Sequence, residues 1–222
     1  MNADWFVPAL AAHVPALARA YRIECRLGRG DVGLTFDDGP HAEGTPAVLE
    51  TLAARGATAT FFLVGEQVQA RPSVARAIVD AGHEVALHGY RHTLLLRRSV
   101  RELEQDLVRA RAAIEDATGR SPVLYRPPYG VFSARGLALV RRRGWRPLLW
   151  SRWGRDWERR ATPAAIARRT TRRLRSGDVV LLHDSDAYSS AGSWMRTAAA
   201  LPSVLDAVAT LGVSAVAVTQ SM

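Results

Sequence analysis

Five short stretches of this 222-residue chain set reactive side chains just beyond apolar runs. Asp37 and Asp38 follow the run from Val32, in Thr35-Phe36-Asp37-Asp38-Gly39-Pro40. His88 and His92 follow Glu84-Val85-Ala86-Leu87. Arg126 opens Arg126-Pro127-Pro128-Tyr129-Gly130 after Val123-Leu124-Tyr125. Asp156-Trp157 comes shortly after Leu148-Leu149-Trp150, and His183-Asp184 ends Val179-Val180-Leu181-Leu182. Carboxylates, imidazoles and a guanidinium brought to one rim by several strands are how a barrel-like α/β enzyme builds a site. The residue types are those a mononuclear metal hydrolase needs.

Side chains alternate along a strand, so Asp37 and Asp38 would ordinarily point to opposite faces. The Gly39-Pro40 turn that follows can let one carboxylate bind a cation while the other faces the reactants. His88 and His92 lie four apart. One helical turn after the strand would put both imidazoles on one face, where they can share an ion. One carboxylate and two imidazoles leave a coordination position open, which suits a catalytic site. Nitrogen and oxygen ligands favour Zn2+, with Co2+ and Ni2+ also compatible. His183 sits at a strand end, exposed at the rim, where it can give a proton to a leaving group. Arg126 can pair with a carboxylate. His13, His41 and His83 have no such company and receive no role.

These residues need elements to hold them. Strand-like runs are expected near 32–37, 58–64, 84–88, 122–126, 146–151, 178–183 and 213–218. Helices fit 45–55, 72–81, 99–118, 133–143, 163–175 and 197–211. Thr45-Pro46, Arg71-Pro72 and Thr162-Pro163 read as helix starts with proline in the first turn. Gly56, Gly82, Gly119, Gly144, Gly177 and Gly212 each follow a helix and precede a β-rich run, the rhythm of repeated βα units. The fold class expected is α/β: a distorted (β/α)7 TIM-like barrel in a single domain, spanning 31–222. Residues 1–30 form a lead-in with a helix over Ala9–Tyr21.

Length suits one such domain, and 48% hydrophobic residues agree with a sizeable core. The net charge is +9 and all 30 basic residues are arginine. That bias fits a GC-rich coding sequence, with the arginine clusters on solvated helix faces. The less favoured reading is a basic surface for an anionic polymer, and no nucleic-acid module accompanies it. Cys25 is the single cysteine, which excludes an intrachain disulfide and a cysteine zinc cage. No Lys or Arg precedes Arg19, and Pro8, His13 and Pro15 interrupt the first apolar stretch, so no secretion signal is read. No segment is apolar enough to span a bilayer. The expectation is a cytoplasmic chain as written, with export open if an upstream segment exists.

Together the five segments resemble the polysaccharide deacetylase family (carbohydrate esterase family 4, the NodB-homology domain), from about Asp31 to Val218. Thr-Phe-Asp-Asp-Gly-Pro, His-x-x-x-His, Arg-Pro-Pro-Tyr, Asp-Trp and Leu-x-His occur in the family's order. The resemblance implies Asp37 as general base, Asp38, His88 and His92 as metal ligands, and Arg126 as the partner orienting Asp37. It implies the Tyr129 backbone N–H as an oxyanion donor, Leu181 and Trp157 as the acetyl-methyl pocket, and His183 as the acid. The implied reaction is hydrolysis of an N-acetyl group on an N-acetylated sugar (peptidoglycan, a chitin-like oligomer or an acetamido glycoside), releasing acetate.

Two positions depart from the pattern. Gly89 stands where many members have Ser or Thr, losing a hydroxyl that could brace the metal loop. Trp153 stands where many have an Asp that charges the catalytic histidine. Without that carboxylate His183 should have a lower pKa unless Asp156 or Asp184 substitutes; Trp153 becomes instead a stacking wall for a sugar ring. The polar stretch from Asp184 to Trp194 reads as a surface loop or as a lid in which Tyr188 or Trp194 meets the ligand. Two alternatives remain at this point. His-Gly-Tyr-Arg is similar to motif two of allantoinase-like amide and cyclic-imide hydrolases, which often lack the second histidine that this chain keeps. A non-catalytic binder of anionic polymer is the other, though it has no need of Asp37.

Overall fold

A computed structural model describes residues 11–28 and 30–221. Its sheet is parallel throughout. β1 (Val32–Asp37) is central, with β2 (Thr60–Leu63) on one side and β7 (Val179–His183) on the other. β3 (Glu84–Leu87) and β4 (Leu124–Tyr125) continue beyond β2. β8 (Ala215–Val216) pairs with Val32 and Gly33 at the foot of β1.

The expected strand over 146–151 is two short pieces. β5 (Arg146–Pro147) pairs with β4, and β6 (Arg152–Trp153) pairs with β7. One chain segment therefore bridges the two outer strands, and the sheet curls into a distorted barrel. Leu148 N–H bonds the Tyr125 carbonyl and Ser151 N–H the Val179 carbonyl, so the donors change strand within four residues. Pro147 has no N–H to give, but the Arg146 and Leu148 N–H groups on either side of it still bond Val123 and Tyr125, so the change of partner comes after it.

β1 and β2 are buried along their whole length, as strands of a barrel enclosed by side chains and helices must be. Phe36 and Phe61, both fully buried, stack at 5.1 Å. The outer helices are α2 (Gly44–Ala54), α4 (Pro72–Asp80), α5 (Val100–Thr118), α6 (Ala134–Arg142), α7 (Pro163–Thr171) and α8 (Ser193–Thr210). α5 has the clearest local logic. Ser99 and Glu102 form a reciprocal capping box, and Gly119 ends the helix at φ 68 with its N–H on the Glu115 carbonyl.

Thr162 caps α7 as expected, accepting from Ala165 N–H at 3.2 Å, and Arg71-Pro72 begins α4. Thr45 does not cap α2. The helix begins at Gly44, and the Thr45 hydroxyl is drawn inward to the carboxylate of Asp184. The expected helix over Ala9–Tyr21 is α1, Pro15–Ala20; its first two expected residues lie outside those described. A short helix that hydrophobic periodicity did not reveal, α3 (Gly65–Ala70), follows β2 directly. The lead-in packs on the same core through Ala18, Ile23 and Leu27. Among the described residues no helix is long and apolar enough to cross a membrane.

Candidate metal and acid–base site

Asp37 is the last residue of β1, and Asp38 follows with φ 77. Strand alternation would have sent the two carboxylates to opposite faces; the left-handed turn at Asp38 breaks it, and both carboxylates line one pocket. Asp is among the residues that tolerate this conformation best. Gly39 is required next. A Cβ there would lie 2.5 Å from the Asp184 carboxylate, which packs fully buried behind the turn. Burial pushes Asp184 up to about 7, although Thr45 donates to it.

Asp37 Oδ1 accepts from Arg126 Nη1 at 2.6 Å. Arg126 is fully buried and anchored in turn by the Leu149 carbonyl at 3.0 Å and the Thr35 hydroxyl at 2.9 Å, over the face of Phe62 at 4.1 Å. A buried guanidinium this fully bonded has one orientation available, so it fixes Asp37 and leaves Oδ2 directed towards His88 at 3.8 Å.

Asp38 Oδ1 lies 3.3 Å from Nε2 of His88 and 3.3 Å from Nε2 of His92. It is buried and, by hydrogen-bond geometry, without a partner among the described residues. One ligand atom from each of the three residues falls within 4.8 Å of the others. An unpartnered carboxylate oxygen facing two imidazole nitrogens is a donor set that fits a divalent cation. The His88 tautomer suits it, because Nδ1 is 2.9 Å from the Arg126 carbonyl, which can only accept. Nδ1 thus carries the proton and the Nε2 lone pair points inward. Burial tends to raise Asp38, but the neighbouring imidazoles of His88, His183 and His92 outweigh it and hold the acid at about 2. Burial pushes His92 down to about 4 against the pull of Asp38. An ionised carboxylate and a neutral imidazole are the forms a cation takes.

The two histidines do not converge through a helical turn, contrary to expectation. Residues 88–92 form a bent loop, with Gly89 at φ 95. The missing hydroxyl at Gly89 is made good from α5. Asp106 accepts from Tyr90 N–H at 2.7 Å and from Arg91 N–H at 3.4 Å. A Cβ on Gly89 would stand 3.3 Å from the Asp106 carboxylate, so the brace and the glycine fit each other. Asp106→Ala should cost about 1–3 kcal/mol, the penalty for leaving the amide of buried Tyr90 without its partner, and expose that amide to hydrogen exchange. Asp106→Asn, which keeps an acceptor oxygen, should retain most of both. Equal exchange in wild type and the Ala variant would remove Asp106 from this role.

His183 ends β7 opposite Asp37. Its Nδ1 lies 3.0 Å from Asp156 Oδ1, and its backbone N–H bonds Asp156 Oδ2 at 2.7 Å. Thr197 on α8 donates to Asp156 as well, at 2.8 Å. The carboxylate that Trp153 does not supply therefore comes from Asp156. With Asp156 as the substitute carboxylate, the His183 pKa does not fall: burial pulls the imidazole down, but the charge and hydrogen bond of Asp156, with Asp38 and Asp37 behind, lift it to about 10. Nε2 faces the pocket, 4.0 Å from Asp38 Oδ2.

The pocket holds about 440 Å³, within the usual range for small-molecule sites. Leu181 and Trp157 line it beside His183, with Trp157 edge-on to the imidazole at 5.4 Å. Trp153 stands between Trp150 and Trp157, at 5.6 and 5.4 Å. Tyr129, at φ 62, puts a largely exposed ring at the mouth. The ten residues given metal, catalytic or pocket-lining roles from the sequence meet here, nine lining the pocket and Arg126 behind Asp37. His13, given no role above, also lines it, 5.4 Å from Trp153. Of the two aromatics in the 184–194 stretch, Tyr188 reaches the pocket, while Trp194 packs against His41 at 5.6 Å. Asp106 and the α3 residues that hold Tyr188 were not legible in advance; they act through contacts far apart in sequence.

The sequence profile of the polysaccharide deacetylase family matches residues 26–148. Over 203 residues the chain is 35% identical to a chitooligosaccharide deacetylase of Azorhizobium caulinodans, covering 88% of this chain and 95% of that protein. A solved peptidoglycan N-acetylglucosamine deacetylase superposes with a TM-score of 0.86 at 25% identity, covering 93% of this chain and 95% of that one. A carbohydrate esterase family 4 pseudoenzyme from Bacillus anthracis superposes with a TM-score of 0.80 at 28% identity, covering 89% and 67% respectively. A fold shared by a deacetylase and a pseudoenzyme leaves the residues at the rim to decide activity.

Proposed function

Because this chain belongs to the polysaccharide deacetylase family, we propose that it hydrolyses the N-acetyl group of an N-acetylated glycan and releases acetate. The observation that carries this reading is the convergence of Asp38, His88 and His92, with Asp37 and His183 beside them in one pocket. The family is metal-dependent. Asp38, His88 and His92 would hold the ion, and their oxygen and nitrogen donors favour Zn2+, with Co2+ and Ni2+ compatible. Such an ion supplies Lewis acidity to the acetyl carbonyl and makes water a stronger acid.

The chain's own groups complete the reaction. Asp37 takes the proton of the attacking water through Oδ2, since Arg126 occupies Oδ1. The Tyr129 backbone N–H donates to the carbonyl oxygen as charge develops on it. His183, held by Asp156, passes a proton from Nε2 to the departing amine. Leu181 and Trp157 receive the acetyl methyl, and Trp153 offers its face to a sugar ring. The catalytic domain on this reading is 31–222, with the preceding residues closing one side of the pocket through His13.

Names of relatives support chitin-like oligomers and peptidoglycan as substrate classes. Acetate release from N-acetylglucosamine oligomers, peptidoglycan and small acetamido glycosides, with Zn2+, Co2+ or Ni2+ added, tests the reading. Turnover abolished by a chelator and restored by metal is expected. Glycan binding that persists under chelation, with no acetate from any substrate, would make the chain a binder.

A further inference from the structure

We infer that Tyr188 is a positioning residue that holds the ring of His92 in the orientation a cation on Asp38 and His88 requires. The inference rests on the metal role proposed for those three side chains. A metal-ligating histidine usually fixes its ring by donating its other N–H to a carbonyl or carboxylate. His88 does so, through the Arg126 carbonyl. His92 has no counterpart: its Nδ1 is buried from solvent and meets no hydrogen-bond partner among the described residues. Its loop is not helical either, so local backbone geometry does not set the ring.

Aromatic contacts set it instead. The Tyr188 ring stacks on His92 at 4.3 Å with an 11° interplanar angle, and the Tyr129 ring meets it edge-on at 4.6 Å. With one face and one flank occupied, rotation of the imidazole away from Asp38 meets an obstacle.

Tyr188 is itself pinned. Its hydroxyl donates to Glu66 at 2.6 Å and accepts from Gln67 at 3.0 Å, both on α3. The same helix grips the loop that carries the histidines: Gly65 N–H bonds the Gly89 carbonyl at 2.9 Å and Glu66 N–H bonds the Tyr90 carbonyl at 3.0 Å. A Cβ at Gly65 would come within 2.6 Å of the Tyr90 ring, so this close approach depends on glycine. The path from α3 to Tyr188, to His92 and back through the loop is a closed circuit. The stretch bearing Tyr188 is tied down by Gly192 N–H on Asp186 at 2.7 Å.

The test is a Zn2+ titration against a competing chelator on the full chain, run for wild type, His92→Ala, Tyr188→Ala and Tyr188→Phe, with thermal unfolding of each metal-free protein. Tyr188→Ala should bind Zn2+ about 10–100-fold more weakly, the usual loss when a group orienting a ligand is removed. Tyr188→Phe, which keeps the stacked ring and loses the hydroxyl, should lie between it and wild type. The Co2+ absorption bands should change in Tyr188→Ala and largely return in Tyr188→Phe, a signature that a general loss of stability does not give. If wild type binds no tighter than His92→Ala, the metal reading itself is wrong. If His92→Ala loses the ion while Tyr188→Ala holds it as wild type does, the metal reading stands and the clamp is overturned. Should Tyr188→Ala not fold, Tyr188→Leu replaces it, and wild-type affinity in that variant overturns the clamp equally.

Discussion

Asp37→Asn is expected to keep its divalent cation at wild-type stoichiometry and to lose about 10²–10⁴ in turnover, the range attached to a removed general base. The substitution is nearly isosteric. The amide oxygen can still accept from Arg126 Nη1, which now bonds Oδ1 at 2.6 Å. What disappears is the second oxygen as a proton acceptor. The ligands Asp38, His88 and His92 are untouched, so metal content separates this variant from Asp38→Ala or His92→Ala, in which ion and activity should vanish together. A cost in stability comes with it. Arg126 is fully buried, and breaking a buried ion pair from one side typically costs about 3–5 kcal/mol. The variant should therefore melt earlier than wild type while remaining metal-loaded. Near-normal acetate release from it would remove Asp37 from the base role.

Asp156→Asn is expected to have the second-largest effect, and one that depends on pH. Burial alone would lower the His183 pKa; the charge and hydrogen bond of Asp156 are the strongest lifts against it, and together with Asp38 and Asp37 they bring the imidazole to about 10 from an ordinary 6.5. A cation on Asp38 would cancel the help given by that carboxylate and leave Asp156 as the principal support. Removing its charge should therefore let burial win. The alkaline limb of kcat/KM, where the acid loses its proton, should move down by a unit or more (each unit is about 1.4 kcal/mol). The loss should be larger at pH 9 than at pH 6, and larger for amides than for activated esters, whose leaving groups need less protonation. The linkage sign agrees. A folded pKa above the unfolded value gives stability that is full below about 6.5 and is lost as pH rises through about 10. The Asn variant should show a flatter decline in melting temperature over that window. An unchanged pH profile would mean that another group protonates the amine.

The contrast between His183 and His92 shows what could be read from residue order and what could not. His183 was legible because a histidine ending four apolar residues has to emerge at a rim. Its partner was not settled, since both Asp184, next in sequence, and the more distant Asp156 were candidates. Only the turn after β6 decides between them, carrying Asp156 back to the His183 ring, while Asp184 is taken by Thr45. The same hydroxyl explains why Thr45 failed as a helix cap: a buried carboxylate outbid the backbone amides for it. His88 and His92 converge as their spacing suggested, but by a bent loop braced from Asp106 on α5, 16 residues beyond Tyr90. Nothing in the local pattern around Gly89 pointed to that residue.

The barrel was legible at the level of its rhythm. Helices ending in glycine and strands ending in reactive residues recur along the chain, and the structure keeps that order. Strand extent was less legible. Val123-Leu124-Tyr125 and the run from Arg146 looked like ordinary strands, yet β4 and β5 have two residues each. Closure asks the 146–153 segment to leave β4 and join β7, and an apolar pattern has no means of recording a change of partner. α3 escaped for a related reason: six residues wedged between β2 and α4 are too short to show a helical period.

Diffraction data from zinc-loaded crystals, collected on both sides of the zinc absorption edge, test the central claim most directly. One anomalous peak is expected about 2.0–2.2 Å from an Asp38 carboxylate oxygen and from Nε2 of both His88 and His92, with Asp37 outside bonding distance and facing the same side. A zinc bound elsewhere on the chain, or the three side chains turned apart with no peak between them, would contradict it.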